Sequence, residues 1–211
     1  MRFARNPYKG NKGGPRIIGI AGIGRGTGVT HTVLMLANYL QGAEGRQTAV
    51  LEWNDHKDFY RFGSICTGQG GDRSCYRIQD VNYYPQADGS RLAECLEAGY
   101  QQILIDFGAM GKMTYVELMR CSSVWLLMSF SEWQMEAFWE FVKSKESPKQ
   151  RSWQYFTVFG SEESRKEWNK RRNPKIWRIP LSVDAFTVTR QFMEWAETTL
   201  RTSSFSGDVS R

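Results

Sequence analysis

Between Gly19 and Leu40 the chain reads GIAGIGRGTGVTHTVLMLANYL, with glycines at 22, 24, 26 and 28 separating an apolar run from a helical pattern. A glycine-rich turn of this kind lets successive backbone N–H groups point inward at the start of a helix, whose dipole favours an anion there. The chemistry such residues suit is phosphate binding. Against the signature G-x-x-x-x-G-K-[ST], Gly28 supplies the second glycine and Thr30 the magnesium-binding hydroxyl, while Val29 occupies the lysine position. A charge-assisted hydrogen bond contributes about 1.5–3 kcal/mol, so loss of that lysine weakens triphosphate binding roughly ten- to a hundredfold. Arg25, inside the loop, is the cation placed to compensate. The run Gly24, Arg25, Gly26, Thr27, Gly28, Val29, Thr30 and His31 is therefore the candidate nucleotide-binding set, against the plainer reading of a bare strand-to-helix turn.

QQILIDFG (101–108) ends an apolar run on Asp106, followed by Gly108. An aspartate at the carboxyl end of a parallel strand lies where open α/β sheets hold their ligands, so Asp106 is a candidate site residue, against the plainer reading of a carboxylate that caps the following loop. Other chemistries find little support. His31 and His56 are the only histidines, and neither has a second His or a Cys at ligand spacing. Cys66, Cys75, Cys95 and Cys121 form no C-x-x-C, and no G-x-S-x-G elbow is present.

The elements that must position these groups alternate. RIIGIA (16–21), QTAVLEW (47–53), CYRIQDVNYY (75–84), QQILIDFG, SSVWLLMSF (122–130), WQYFTVFG (153–160) and KIWRIPL (175–181) read as strands. Helical spacing over 30–40, 89–100 and 184–200 separates several of them, and Ser131 with Gln134 predicts a capping box opening another helix. That helix carries Trp133, Phe138, Trp139 and Phe141, a stripe that is either core or a partner surface. The alternation predicts an α/β fold with a mainly parallel sheet. The glycine-rich stretch 54–74 reads as a long functional loop.

With 211 residues, 41% of them hydrophobic, the chain suits one domain over 16–200, between a basic flexible tail (1–15) and a disordered one (201–211). No apolar run reaches the length of a membrane span, and a reduced, cytoplasmic setting is expected. The net charge of +6 concentrates in 1–16 and 165–178. Either segment could meet nucleic acid or an anionic membrane face, or be merely solvated.

The order of these features resembles the MinD/ParA family of deviant P-loop ATPases, and within it the CpaE/TadZ pilus-assembly type, over roughly residues 16–200. The resemblance implies a P-loop NTPase-like sheet flanked by helices on both faces, ATP or ADP with magnesium as cofactor, and a homodimer. The family's loop reads K-G-G-x-G-K-T-T; its signature lysine falls at Gly24 and its second lysine at Val29. The family's D-x-D after the second strand falls on Glu52 and Asn54, with Asp55 one residue late, so the water-orienting carboxylate is replaced by an amide. ILIDFGAMG matches the metal-side aspartate and γ-phosphate-sensing glycine at Asp106 and Gly108. The family's adenine-reading asparagine falls at Phe159–Gly160, and IPLSVDAF matches its Pro-containing segment near the base at Pro180. Glu52, Asn54, Asp55 and Gly108 are thus the expected switch residues.

The groups that shape a site remain, and those that stabilise transferred charge are replaced. The expectation is a positioning or scaffold protein with a degenerate ATP site and little or no hydrolysis, its nucleotide binding weak or absent. It would act through dimerisation and recruitment of secretion, pilus or polar-organising proteins, with peripheral membrane contact through the basic segments. The alternative is a slow magnesium-dependent ATPase switch using Arg25.

Overall fold

The computed structural model describes residues 14–68, 74–143 and 153–204. The strands are β1 (Arg16–Gly22), β2 (Thr48–Glu52), β3 (Tyr76–Ile78), β4 (Val81–Tyr84), β5 (Gln102–Ala109), β6 (Ser123–Phe130), β7 (Trp153–Gly160) and β8 (Ile176–Arg178). The helices are α1 (Val29–Gly42), α2 (Asp58–Thr67), α3 (Gly89–Glu97), α4 (Lys112–Leu118), α5 (Met135–Lys143), α6 (Glu162–Arg171) and α7 (Arg190–Ser204). One eight-stranded sheet runs in the order β3-β4-β2-β5-β1-β6-β7-β8, parallel throughout except for the β3–β4 pair. The expected α/β architecture is present.

The central strands are buried on both faces, which is why they read as continuous apolar runs rather than alternations. One face packs Ile18, Ile20, Val50, Leu104, Trp125 and Phe156 against α1, α2 and α7. The other packs Ala49, Ile103, Ile105, Leu126 and Tyr155 against α3, α4, α5 and α6. Trp125, fully buried, sits 4.8 Å from Phe156 and 5.7 Å from Trp195 between ring centroids, joining β6, β7 and α7. Burial of one such side chain stabilises the fold by about 1.5–3 kcal/mol, so α7 is held by its apolar face, Phe192, Ala196 and Leu200.

Four expectations are corrected. The span 75–84 is a hairpin and not one strand: Gln79 (φ 46°) and Asp80 (φ 65°) form a two-residue turn between Ile78 and Val81. Both central residues lie at positive φ, as a type I′ turn requires, but neither is the glycine or asparagine that usually signals one. The stretch 54–74 contains α2, anchored by buried Phe59, while 69–73 lies outside the described residues. The capping box does not form. Ser131 caps a single 3-10 turn (Glu132–Gln134) without a side-chain bond, its hydroxyl accepting instead from Ser129 Oγ at 2.9 Å. The closing helix starts at Arg190, because Asp184 accepts from Phe186 N (3.0 Å) and Thr187 Oγ1 (2.7 Å) and holds the preceding residues in a turn. It runs to Ser204, past residue 201; the basic tail 1–13 and residues 205–211 lie outside the described residues.

Candidate functional site

Helices α3 and α6 begin on side-chain caps: Asp88 accepts from Arg91 N at 3.0 Å and Ser161 from Ser164 N at 3.2 Å. Helix α1 differs. Its N-cap is Gly28, at φ 90° and ψ 24°, with no side-chain cap and no acid in the first turn. Only a residue without Cβ takes that left-handed conformation cheaply, and a Cβ here would also meet Phe159 and Val158 at 3.2 and 3.3 Å. The first-turn N–H groups of α1 thus have no side-chain acceptor from the cap.

A cavity of about 380 Å³ opens over them, lined by residues 24–31 together with His56, Asp58, Gly108, Ala109 and Phe159. Every residue of the candidate nucleotide-binding set therefore borders one space, along with the switch glycine. Their side chains are employed differently. Thr27 Oγ1 donates to Gly24 O at 3.1 Å and folds the turn on itself. Val29 is 7% exposed and belongs to the core beneath the loop. His31 Nε2 donates to Ser182 O at 2.7 Å, tying the loop helix to the segment before α7. Arg25 is exposed, and its carbonyl accepts from Gln134 Nε2 at 2.8 Å.

Thr30 and Asp106 meet. The hydroxyl donates to Asp106 Oδ2 at 2.7 Å. Asp106 is fully buried in β5, flanked in register by Ile20 of β1 and Glu52 of β2. Its Oδ1 accepts from Gly108 N at 2.9 Å and Asn54 Nδ2 at 3.2 Å. Burial raises its pKa to about 6, against the opposing pull of Thr30 and the Gly108 N–H, with buried Glu52 adding to the rise.

Asn54 makes the site distinctive. Its Nδ2 also donates to Asp106 O at 3.0 Å, and its Oδ1 accepts from His56 N at 2.9 Å. The side chain therefore binds the end of β5 to the turn after β2. Gly108, at φ 60°, lies so near that a Cβ would stand 3.1 Å from Asn54 Cβ and 3.0 Å from His56 Cε1. Glu52 borders neither this cavity nor its neighbour. Its Oε1 accepts from Phe59 N at 3.1 Å at the start of α2, and burial pushes its pKa up. Asp55 is exposed and lines the adjoining cleft.

The glycine cradle and the Thr30–Asp106 pair fit a polyphosphate with magnesium. Among the described residues no cluster of three or more His, Cys, Asp or Glu could hold a metal alone. Magnesium would then depend on phosphate oxygens for part of its shell, as it commonly does.

No protein-family model matches the sequence, and no curated protein matches it. Solved structures do. A plasmid partition protein from Borrelia burgdorferi bound to AMPPNP superposes with a TM-score of 0.64 at 14% identity, covering 92% of this chain and 100% of that one. The septum site-determining protein MinD from Pyrococcus horikoshii, complexed with Mg-ADP, gives 0.58 at 14% identity over 92% and 100%. This chain has the MinD/ParA-type P-loop fold. Cobyrinic acid a,c-diamide synthase from Mycobacterium smegmatis, with an ATP analogue and magnesium, gives 0.62 at 14% identity over 91% and 97%.

Within this MinD/ParA-type fold the basic segment 165–178 is largely committed internally. Glu162 pairs with Arg165 and Arg178, which hold its carboxyl down to about 2, Arg165 having the larger effect. Arg178 also donates to Val158 O and Gly160 O, Arg171 pairs with Glu167, and Arg172 stacks 4.2 Å over Trp139. Of the aromatic stripe, Phe138 is core, Trp139 lies against Trp168, and Trp133 is 80% exposed. No described helix is long and apolar enough to cross a membrane. Gln134 is the loop contact that sequence reasoning missed, since its spacing from Ser131 reads as a cap.

Proposed function

We propose that the chain is a positioning or scaffold module, CpaE/TadZ-like in kind, that binds ATP or ADP with magnesium weakly and does not hydrolyse it efficiently. It acts by forming a homodimer and recruiting partners of a secretion, pilus or polar-organising system. The observation that carries this reading is the use of Asn54: an amide stands where a water-orienting carboxylate would act, and both its ends are bonded to backbone or to Asp106. Val29, in the core, adds no charge to the cavity. Phosphoryl transfer rests on positioning and electrostatic stabilisation, so both changes act on the chemical step. Bound ATP would supply a transferable γ-phosphoryl. The chain's part is to hold it: N–H groups of residues 24–30 on the phosphates, and Thr30 and Asp106 on magnesium.

The exposed Arg25 supports a second reading, a slow ATPase switch, because it lines the loop cavity and bears a cation. Calorimetric titration with ATP and ADP, with and without magnesium, separates the two. Weak binding, near millimolar and indifferent to Arg25→Ala, supports the scaffold. Micromolar, magnesium-dependent binding lost in Arg25→Ala would replace it with the switch.

A further inference from the structure

The loop backbone divides two spaces. On one side lies the loop cavity, and on the other a small cavity of about 110 Å³ bordered by Trp133, Gln134 and Phe138. Gly24, Arg25 and Thr27 border both, Gly26 borders only the loop cavity, and Gln134 borders only the small one. Gln134 is well held. Its N–H donates to Ser131 O at 2.9 Å, and Phe138, one turn further on, is buried with its ring 6.3 Å from Phe130 and 4.6 Å from Trp168.

From this support Gln134 Nε2 donates to Arg25 O at 2.8 Å. A trans peptide is planar, with its C=O and N–H pointing in opposite directions. The Arg25–Gly26 bond is trans, the one cis peptide among the described residues being Asn173–Pro174. With Arg25 O drawn towards Gln134, the Gly26 N–H is turned away, to the side on which Gly26 meets the loop cavity. That N–H has no acceptor among the described residues. Were the same peptide turned over, it would present its carbonyl oxygen to the cavity and repel a phosphate.

We propose that Gln134 is a positioning residue for phosphate binding. By holding Arg25 O on the far side of the loop it aims the Gly26 N–H at the phosphate, a preset donor where Val29 supplies no charge. A donor fixed before binding adds affinity by removing the cost of ordering it. The inference rests on the loop being the phosphate site proposed above.

The test titrates the full 15N-labelled chain with magnesium pyrophosphate and with Mg-ADP, followed by 1H–15N spectra. The Gln134 side-chain amide signal is identified by its loss in Gln134→Ala. Pyrophosphate carries neither base nor ribose, so it reads the loop alone. The expected result is a saturable shift of the Gln134 amide with both ligands. Gln134→Ala weakens both by a common factor of about five to ten, the equivalent of one neutral hydrogen bond, with the ligand-free melting temperature unchanged. Gln134→Glu, which cannot donate and brings negative charge beside the loop, weakens them further. If either replacement lowers the melting temperature, the amide signal of the native chain decides. Binding that leaves this signal unmoved, affinities indifferent to Gln134→Ala, or a loss confined to Mg-ADP would each overturn the inference while leaving the phosphate site standing. A native chain that binds neither ligand at millimolar concentration removes the phosphate site as well.

Discussion

Asn54 and Asp106 are joined twice: one amide nitrogen donates to both the carbonyl and the carboxylate of the same aspartate, at 3.0 and 3.2 Å. Strands β2 and β5 are thereby fastened at their carboxyl ends, and the two segments expected to respond to nucleotide are fixed without it.

Asn54→Asp tests the bond. The new carboxylate cannot donate, and it faces a buried carboxylate of like charge. Stability is expected to fall by about 2–4 kcal/mol at pH 7, read by denaturant unfolding. Phosphate release from ATP is expected to stay at background, because the charge absent at Val29 is not restored.

Asp106 gives a pH signature. Its folded pKa, about 6, lies above its ordinary value of 3.8, so the native state keeps a proton that the unfolded chain releases between those values. Stability therefore falls as pH rises from about 4 to 6, by at most about 3 kcal/mol from this group. Asp106→Asn removes the buried charge while retaining an acceptor for Gly108 and a donor towards Thr30. Thermal melts of the two proteins should coincide near pH 4, with the variant the more stable at pH 7.

Gly108→Ala places a Cβ at φ 60°, 3.0 Å from His56 and 3.1 Å from Asn54. The expected loss is about 1–3 kcal/mol. Gly24→Ala, whose Cβ would meet nothing within 4 Å, should leave the melting temperature nearly unchanged.

Val29→Lys restores the loop signature on paper. At a position 7% exposed and packed in the core, an ammonium must desolvate or displace its neighbours. About 2–4 kcal/mol of destabilisation is expected, with no gain of turnover while Asn54 remains.

The fold and most of the cavity were legible because continuous apolar runs and a glycine turn report on burial and backbone shape, which depend on local residue types. The Thr30–Asp106 contact was legible because Thr30 opens the helix after the glycine turn and Asp106 lies near the carboxyl end of a parallel strand, both on the edge of the sheet where ligands bind. What escaped was set by tertiary geometry. Gln134 serves a carbonyl 109 positions away, which no local spacing encodes. The hairpin at Gln79–Asp80 uses left-handed residues that give no turn signal. Within the basic run 165–178, read as either a polyanion contact or a solvated face, the pairing of Arg165 and Arg178 with Glu162 and of Arg172 with the Trp139 face is likewise tertiary.

The most direct measurement of the central claim is phosphate release from Mg-ATP at high protein concentration, for the native chain beside Asp106→Asn. The account predicts indistinguishable background rates. Release by the native chain that the substitution abolishes would contradict it, and would make the loop a working ATPase site served by Arg25.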